Sequence, residues 1–457
     1  SVPFSYNPAM PLLRDIVYSV AAVLSSPVWG YHLLRTGKWR TDWAGRFGKV
    51  PAGALNGRAG EAQGGPTIMI HAVSVGEINA TRLLVRQLEE AFEGKCRLVI
   101  TATTNTGIAR ATELYGDRHI VLRYPLDFTL SVRRFLDAVK PDLVALMELE
   151  LWPTFVQECD RRGIPIGVIN GRLSERSYKR YRLIRALVRP SFARLKFAAV
   201  QTKDYAERFI GMGTDPSRVQ VTDSMKWDTA SVADAAAMPG ASELAVAMGI
   251  DRSRPLIVCG STGPGEEELL VAARPQGVQL MIVPRKPERF NEVAATMQNL
   301  EPSQSIVRRT EHADGTTRSP GGSELFLLDT MGELRKAYAL ADVVIVGRSF
   351  IDLYGSDPME PAALAKPVII GPRYGDFRDA VETLKAAEGI LITDKPCEAA
   401  SGLLADRDAA RRLADNGQKA ILSRQGATAR HVKLIRDVLR PEVNSAAPAA
   451  TMNRRED

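Results

Sequence analysis

The chain has 457 residues, 45% hydrophobic and 25% charged, too much polypeptide for one ordinary core and enough for two globular domains of roughly 200 residues each. Its cysteines, Cys96, Cys159, Cys259 and Cys397, stand far apart without a CxxC pair; that argues against a disulfide framework or a cysteine zinc site and fits a reducing compartment. The formal charge of +7 is concentrated in residues 1–60 and in 172–196, where nine Lys or Arg face Glu175 alone; no regular aromatic repeat runs through them, so an anionic surface suits them better than a nucleic-acid groove.

The first feature along the chain is "IVYSVAAVLSSPVWGYHLL", Ile16–Leu34, which contains no Asp, Glu, Lys or Arg. It is just long enough to span a bilayer, but Ser19, Ser25, Ser26, Pro27 and His32 make it weakly apolar. A spanning anchor, a helix lying on the membrane and a signal peptide compete; the last lacks a cleavage site followed by a mature-looking start. The basic run Arg35, Lys38, Arg40, Arg46 and Lys49 keeps the adjoining globular part cytoplasmic under the positive-inside rule. The expectation is a membrane-associated helix within residues 1–50 and a globular part on the cytoplasmic face.

From residue 67 a rhythm of strand, glycine turn and helix begins. "TIMIHAV", "RLVITATT", "HIVLRYP", "DLVALMEL" and "PIGVING" are strand candidates, and "GEINATRLLVRQLEEAF", "SVRRFLDAV" and "TFVQECDRRG" have helical spacing between them. Apolar strands separated by helices mean a parallel sheet covered on both faces. The rhythm weakens over about 224–254 and restarts with "PLIVCG", "QLMIVP", "ADVVIVG", "KPVIIG" and "GILIT". This gives α/β architecture with two Rossmann-like, doubly wound domains in tandem, 51–235 and 236–440. Arg309–Ser323 reads as a mobile polar loop and 441–457 as a disordered tail. Ligands of such sheets bind outside the carboxyl ends of the strands, so a cleft between the domains is the default site.

Five motifs fall at those ends. In "HAVSVGEINA", Glu77 opens a helix, either as a carboxylate complementing the helix dipole or as a general base. In "MELELWP", Glu148 and Glu150 alternate at a strand end and so share a face, with Lys140 or an Arg from the basic helix as a partner. In "VCGSTGPGEEE", Ser261, Thr262 and backbone N–H groups offer a phosphate cradle, though the motif is neither GxGxxG nor a Walker A loop. In "VPRKPERF", Arg285, Lys286 and Arg289 lie among stiffening prolines and suit phosphate or carboxylate. In "YGSDPMEPAALAKPV", Glu360 stands between Pro358 and Pro361 after the strand "DVVIVG". There is no HExxH, GxSxG or histidine cluster, and Asp406-Arg407-Asp408 is a weak Asp-x-Asp metal candidate, so no metal is expected.

In order, "HAVSVGEINA", "YPLDFTLSVRRFLDAVKPDLVALMELELWPTF", "NGRLSERSY", "DSMKWD", "GSTGPGEEE", "VPRKPERF" and "DPMEPAALAKPVIIGP" resemble the Kdo transferases, which move 3-deoxy-D-manno-octulosonic acid (Kdo) from CMP-Kdo onto lipid A precursors. The resemblance covers about residues 70–385. It implies a GT-B fold of two facing Rossmann-like domains, and an inverting transfer with no metal or cofactor. It further implies a phosphorylated lipid A-type acceptor on the N-terminal domain and CMP-Kdo on the C-terminal one. Glu77 would be the base, with Glu148 and Glu150 as the acidic pair at the reaction centre. Donor contacts would come from Lys226, Ser261, Thr262, Arg285, Lys286, Gly355, Ser356, Asp357 and Glu360, the last gripping the ribose. The acceptor would meet Ser74, Gly76, Arg172, Ser174 and Arg176 at the cytoplasmic face of the membrane.

Departures from the family pattern gather on the nucleotide side. Gly263 and Lys286 replace histidines, Ser356 and Asp357 replace His and Asn, and Asp376 replaces an Asn. Added negative charge there weakens phosphate binding unless Arg348, Arg373 or Lys286 offsets it. Two other readings therefore stand beside the first: a divergent GT-B transferase using another activated sugar, and a catalytically silent, membrane-attached homologue that binds a nucleotide sugar.

Overall fold

The structure is a computed structural model describing residues 14–16, 18–20, 23–27, 31, 35, 41–55, 64–230, 232–312 and 324–440. The chain forms two compact units, one made of the chain up to Thr229 and again from Gly426, the other of Ala230–Gln425. The sequence pattern extends the second domain from 236 to 440; instead the last helix, Ala427–Leu439, belongs to the first unit.

The first unit holds β1 (Thr67–Ala72), β2 (Arg97–Ala102), β3 (Ile120–Arg123), β4 (Leu143–Met147), β5 (Ile166–Gly171), β6 (Phe197–Val200) and β7 (Val219–Val221). They make one parallel sheet in the order β3-β2-β1-β4-β5-β6-β7. Alternation along β1 divides the core. Ile68, Ile70 and Ala72 pack with Ile78, Leu84 and Leu88 of the helix Val75–Ala91 and with Val432 and Ile435 of the returning helix. Met69 faces the other way, onto Phe135 of the helix Thr129–Val139 and Phe155 of the helix Pro153–Arg161. Each such large apolar side chain contributes about 1.5–3 kcal/mol by leaving water.

The return is pinned by polar groups from the "DSMKWD" stretch. Asp228 accepts from the N–H groups of Gly426 (2.6 Å) and Thr428. His431 Nε2 accepts from Asn170 N–H at 2.8 Å, and burial pushes the imidazole down to about 4, so it is neutral. The sequence pattern offers no partner for this histidine; the backbone of β5 supplies one.

The second unit holds β8 (Leu256–Thr262), β9 (Gln279–Pro284), β10 (Ile306–Arg308), β11 (Leu325–Leu327), β12 (Val343–Val346), β13 (Val368–Ile370) and β14 (Leu391–Ile392). Its sheet is also parallel, in the order β10-β11-β9-β8-β12-β13-β14. Both sheets reverse their winding once, between β1 and β4 and between β8 and β12, and such switch points are where open α/β sheets bind ligands.

Among the described residues no helix is long and apolar enough to cross a membrane. The expected segment Ile16–Leu34 lies partly outside the described residues; those described between Arg14 and Pro27 are helical. The loop expected over 309–323 begins as a short 3-10 helix, Arg309–His312, tied by Arg309 to Glu333 and by Thr310 to Asp329. Residues 313–323 and the tail from 441 lie outside the described residues. Asp406 caps the helix Arg407–Arg424 by accepting from Ala409 N–H, an ordinary structural use of that carboxylate.

Candidate functional site

At the first switch point β1 runs into Val73-Ser74-Val75-Gly76-Glu77. Ser74 is the N-cap of the helix Val75–Ala91, and Glu77 stands at its third position, so Ser-Val-Gly-Glu is a variant capping box whose carboxylate reaches the N–H one residue before the cap. The Ser74 hydroxyl donates to Glu77 Oε1 at 3.0 Å, and Glu77 Oε2 accepts from Val73 N–H at 2.9 Å. Gly76 is exposed on the first turn. These contacts hold the carboxylate at the rim of the sheet with lone pairs left over.

Across the switch point β4 ends at Met147, so Glu148 and Glu150 lie in a turn, not on the strand. Strand alternation is therefore not what brings them together. Glu148 takes a left-handed conformation, φ 54°, and its N–H donates to Ile169 O at 3.0 Å. Glu150 accepts from the indole N–H of Trp152 at 2.8 Å. Burial pushes both carboxyls above the usual range, and the negative charge of Glu77 pushes them further. Arg172 and Lys226 pull Glu148 back down. Glu77, Glu148, Glu150, Arg172 and Lys226 thus share one electrostatic neighbourhood at the carboxyl edge of β1, β4 and β5.

Lys226, expected on the donor side, belongs to the first unit and acts on Glu148. Lys140 cannot be the partner of this pair: it precedes β4, the length of the strand away from its carboxyl end. Ser174 caps the helix Glu175–Leu183 by accepting from Ser177 N–H, and Arg172 and Arg176 are exposed beside it. Sequence reasoning missed Asp127, which accepts from the N–H groups of Thr154 (3.0 Å) and Phe155 (2.8 Å) and so fixes the turn carrying Glu150 and Trp152. Its signal was the capping geometry that Trp-Pro-Thr demands, which needs an acceptor from elsewhere in the chain.

At the second switch point the expected phosphate cradle is partly occupied from within. Thr262 is buried, and its hydroxyl donates to Glu267 at 2.9 Å. Gly263 N–H donates to Glu266 at 3.0 Å. Glu266 is fully buried and accepts further from the N–H groups of Arg348, Ser349 (2.8 Å) and Phe350 (3.0 Å). Of the acidic run "GEEE", Glu266 thus anchors the loop after β12 from within and Glu267 ties Thr262, while Glu268 is exposed. Ser261, with φ 58°, meets the phenol of Tyr338. Arg285 and Lys286 are exposed, with Lys286 4.0 Å from Glu288, whereas Arg289 is committed to Glu267 at 2.8 Å.

The loop after β12 returns at Gly355, where φ is 86° and an added Cβ would lie 2.8 Å from the Cα of Tyr374, so only glycine fits. Ser356 is buried, its hydroxyl 3.4 Å from Ser261 O. Asp357 accepts from Met359 N–H at 2.8 Å and starts the short helix Met359–Ala363. Glu360 is half-buried in that helix's first turn; burial and the charge of Asp357 push its carboxyl above the usual range, and Arg335 opposes them. Arg348 turns its guanidinium onto Leu353 O at 2.9 Å and Arg373 onto Phe350 O at 2.7 Å.

A family model described as 3-deoxy-D-manno-octulosonic-acid transferase (kdotransferase) matches residues 41–229. The 3-deoxy-D-manno-octulosonic acid transferase of Haemophilus influenzae is 31% identical over 82% of this chain and 88% of that protein. The chain belongs to this family. The Kdo transferase of Bordetella pertussis is also 31% identical, over 88% of this chain and 93% of its own length. In fold, the UDP-GlcNAc 2-epimerase of Neisseria meningitidis, solved with UDP-GlcNAc, matches with a TM-score of 0.53, covering 81% of this chain and 99% of that one. At 15% identity that likeness concerns fold alone. The first unit is thus the Kdo transferase family domain, the protein is a glycosyltransferase, and the carboxylates around Glu77 lie within the family match.

Proposed function

We propose that this Kdo transferase moves Kdo from CMP-Kdo to a phosphorylated lipid A-type acceptor, inverting the anomeric centre without a metal ion. The observation that carries the reading is the gathering of Glu77, Glu148 and Glu150 with Arg172 and Lys226 at the switch point of the first unit. Glu77 takes the proton from the acceptor hydroxyl as its oxygen attacks the anomeric carbon and the CMP phosphate leaves from the opposite face. The negative potential of Glu148 and Glu150 favours the positive charge that develops at that carbon. Lys226 faces the charged groups of the donor.

On the second unit, Glu360 accepts from the ribose hydroxyls, a role supported by a carboxylate held half-buried by the turn at Gly355 to Pro358. Ser261, Arg285 and Lys286 meet the nucleotide phosphate, and Thr262 serves by fixing the loop from behind. Gly355, Ser356 and Asp357 shape the turn rather than bind directly.

Membrane attachment is supported by the helical residues near the start of the chain. Asp15 accepts from Thr129 N–H at 3.1 Å and Tyr18 donates to Asp127 at 3.2 Å. Ile16, Val20, Val23 and Leu24 are exposed on the opposite face, an arrangement for lying on a bilayer rather than crossing it. Leu183, Ile184 and Leu187 are also exposed, among the arginines of 172–196.

Incubation with CMP-Kdo and a lipid A precursor, followed by CMP release and lipid mass, tests the reading. Absence of release with any Kdo donor and lipid acceptor sinks it. Asp357 beside Glu360 favours one rival, a transferase using another activated sugar, because added negative charge disfavours a donor phosphate. Greater thermal protection by UDP or GDP than by CMP would favour that rival.

A further inference from the structure

Near the start of the chain the helical residues do more than present an apolar face. Arg14, Asp15 and Tyr18 fall on the side of a helix opposite Ile16, Val20, Val23 and Leu24. Each of the three has a definite partner in the first unit. Asp15 accepts from Thr129 N–H at 3.1 Å, at the start of the helix Thr129–Val139, whose N-cap Phe128 has no side-chain acceptor of its own. Arg14 donates to Gln157 Oε1 at 2.6 Å, on the helix Pro153–Arg161. Tyr18 donates to Asp127 Oδ2 at 3.2 Å, and its ring meets Phe128 edge-on at 6.0 Å. Adsorption to a bilayer needs the apolar face and leaves the polar one in water; here the polar face is docked on the domain.

These contacts converge on the turn that carries Glu150. The helix Pro153–Arg161 begins at Trp152, again an N-cap without a side-chain hydrogen bond. Buried Asp127 supplies the missing acceptor, through Oδ2 to Thr154 N–H at 3.0 Å and through Oδ1 to Phe155 N–H at 2.8 Å. Trp152 in turn donates to Glu150, by its backbone N–H to the carbonyl at 3.0 Å and by its indole to the carboxylate at 2.8 Å. Tyr18 thus binds the same carboxylate oxygen that holds the first turn of this helix. A buried carboxylate keeps its orientation through the donors around it, and the Tyr18 hydroxyl is one of them. A single run of contacts leads from Tyr18 through Asp127, Thr154 and Trp152 to Glu150.

We propose that Tyr18, acting through Asp127, is a positioning residue for Glu150, which makes the N-terminal helix part of the reaction centre as well as a membrane contact. The inference rests on the functional reading above, in which Glu150 favours the charge developing at the anomeric carbon. That effect depends on where the carboxylate stands, and a displacement of about 1 Å is enough to cost ~10²-fold in rate. Positioning of this kind is expressed in kcat. A helix that served only as a tether would act on KM for a lipid acceptor, by holding the enzyme near it.

The test measures kcat and KM with CMP-Kdo and a lipid A precursor dispersed in non-ionic detergent, for the full chain as wild type, Tyr18→Phe, Glu150→Gln and the double variant. Tyr18→Phe removes one hydroxyl and leaves the ring beside Phe128. It lowers kcat ~3- to 30-fold with KM unchanged, and the same change made in Glu150→Gln has no further effect, because both substitutions act on one carboxylate. A partial loss of folded protein would instead lower kcat by the same factor in both backgrounds. An unchanged kcat in Tyr18→Phe, a change in KM alone, or an equal fold-loss in the two backgrounds overturns the positioning and leaves the Kdo transfer reading intact. A Glu150→Gln enzyme as active as the wild type overturns it too. Transfer that fails in the wild type overturns that reading, and the inference with it.

Discussion

Ser74 and Glu77 hold one another: the serine hydroxyl donates to the carboxylate at 3.0 Å, and the glutamate N–H lies 3.5 Å from the serine oxygen. The proposed base is therefore also half of a capping box, and its two roles can be separated by substitution. Glu77→Gln keeps a group that can still accept from Val73 N–H, so folding changes little while transfer falls ~10²- to 10⁴-fold, the usual worth of a general base. Ser74→Ala removes the cap, costs about 1 kcal/mol of stability, and lowers the rate less. Urea midpoints alongside kcat for both variants check this. A Glu77→Gln enzyme with wild-type kcat rules out the base.

Asp127 gives a pH dependence with a definite sign. Burial pushes its carboxyl up from 3.8 to about 6, despite the hydrogen bonds from Thr154, Phe155 and Tyr18 that oppose the shift. The folded protein therefore holds this proton to higher pH than the unfolded chain does. Its contribution to stability is complete below pH 3.8 and is lost as pH rises through about 6. A shift of that size corresponds to about 3 kcal/mol. Asp127→Asn removes the titration, so the difference in urea midpoint between wild type and variant should change between pH 4 and 6.5, the wild type being relatively more stable at the acid end. A constant difference across that range contradicts the assignment.

The strands legible in the sequence are β1 to β5, β8, β9 and β12 to β14, each marked by an apolar run between turn residues. The missed ones are short or weakly marked: β6 is Phe-Ala-Ala-Val, β7 has three residues with two exposed, and β10 and β11 are three residues each. The five strand-end motifs are legible because the carboxyl ends of parallel strands collect functional groups. Pattern alone does not give how each polar group is used. Glu266, Glu267 and Glu360 all open helices after strands, yet the first two are internal anchors and only Glu360 is left facing outward. The return of Ala427–Leu439 to the first unit depends on Asp228 and His431 meeting backbone groups 198 and 261 residues away, which no local pattern records.

Arg172 and Lys226 hold the Glu148 carboxyl down against burial and the charge of Glu77. Lys226→Met removes one of these two cations, so Glu148 takes its proton at higher pH than in the wild type. If ionised Glu148 supports transfer, the acid limb of the kcat/KM profile moves to higher pH by a fraction of a unit. Arg172→Met moves it in the same direction. Profiles from pH 5 to 8 measure both, and an acid limb that stays put in the two variants detaches Glu148 from the reaction.

Glu266 and Glu360 offer the opposite pairing of stability and binding within the second unit. Glu266 is fully buried and accepts from four backbone N–H groups, that of Gly263 after β8 and those of Arg348, Ser349 and Phe350 after β12. Glu266→Ala strands those donors, so the urea midpoint of the second unit should fall by several kcal/mol in free-energy terms. Glu360 is instead penalised by burial and by the charge of Asp357, so Glu360→Gln relieves a like-charge contact and stability holds or rises slightly. The same change removes the charged acceptor proposed for the ribose hydroxyls, and CMP affinity should fall ~10-fold or more, as expected for one charge-assisted hydrogen bond. Isothermal titration with CMP and urea unfolding on both variants separate the roles. A Glu360→Gln protein that binds CMP as tightly as the wild type would falsify the ribose contact and leave Glu360 as a helix-start carboxylate alone.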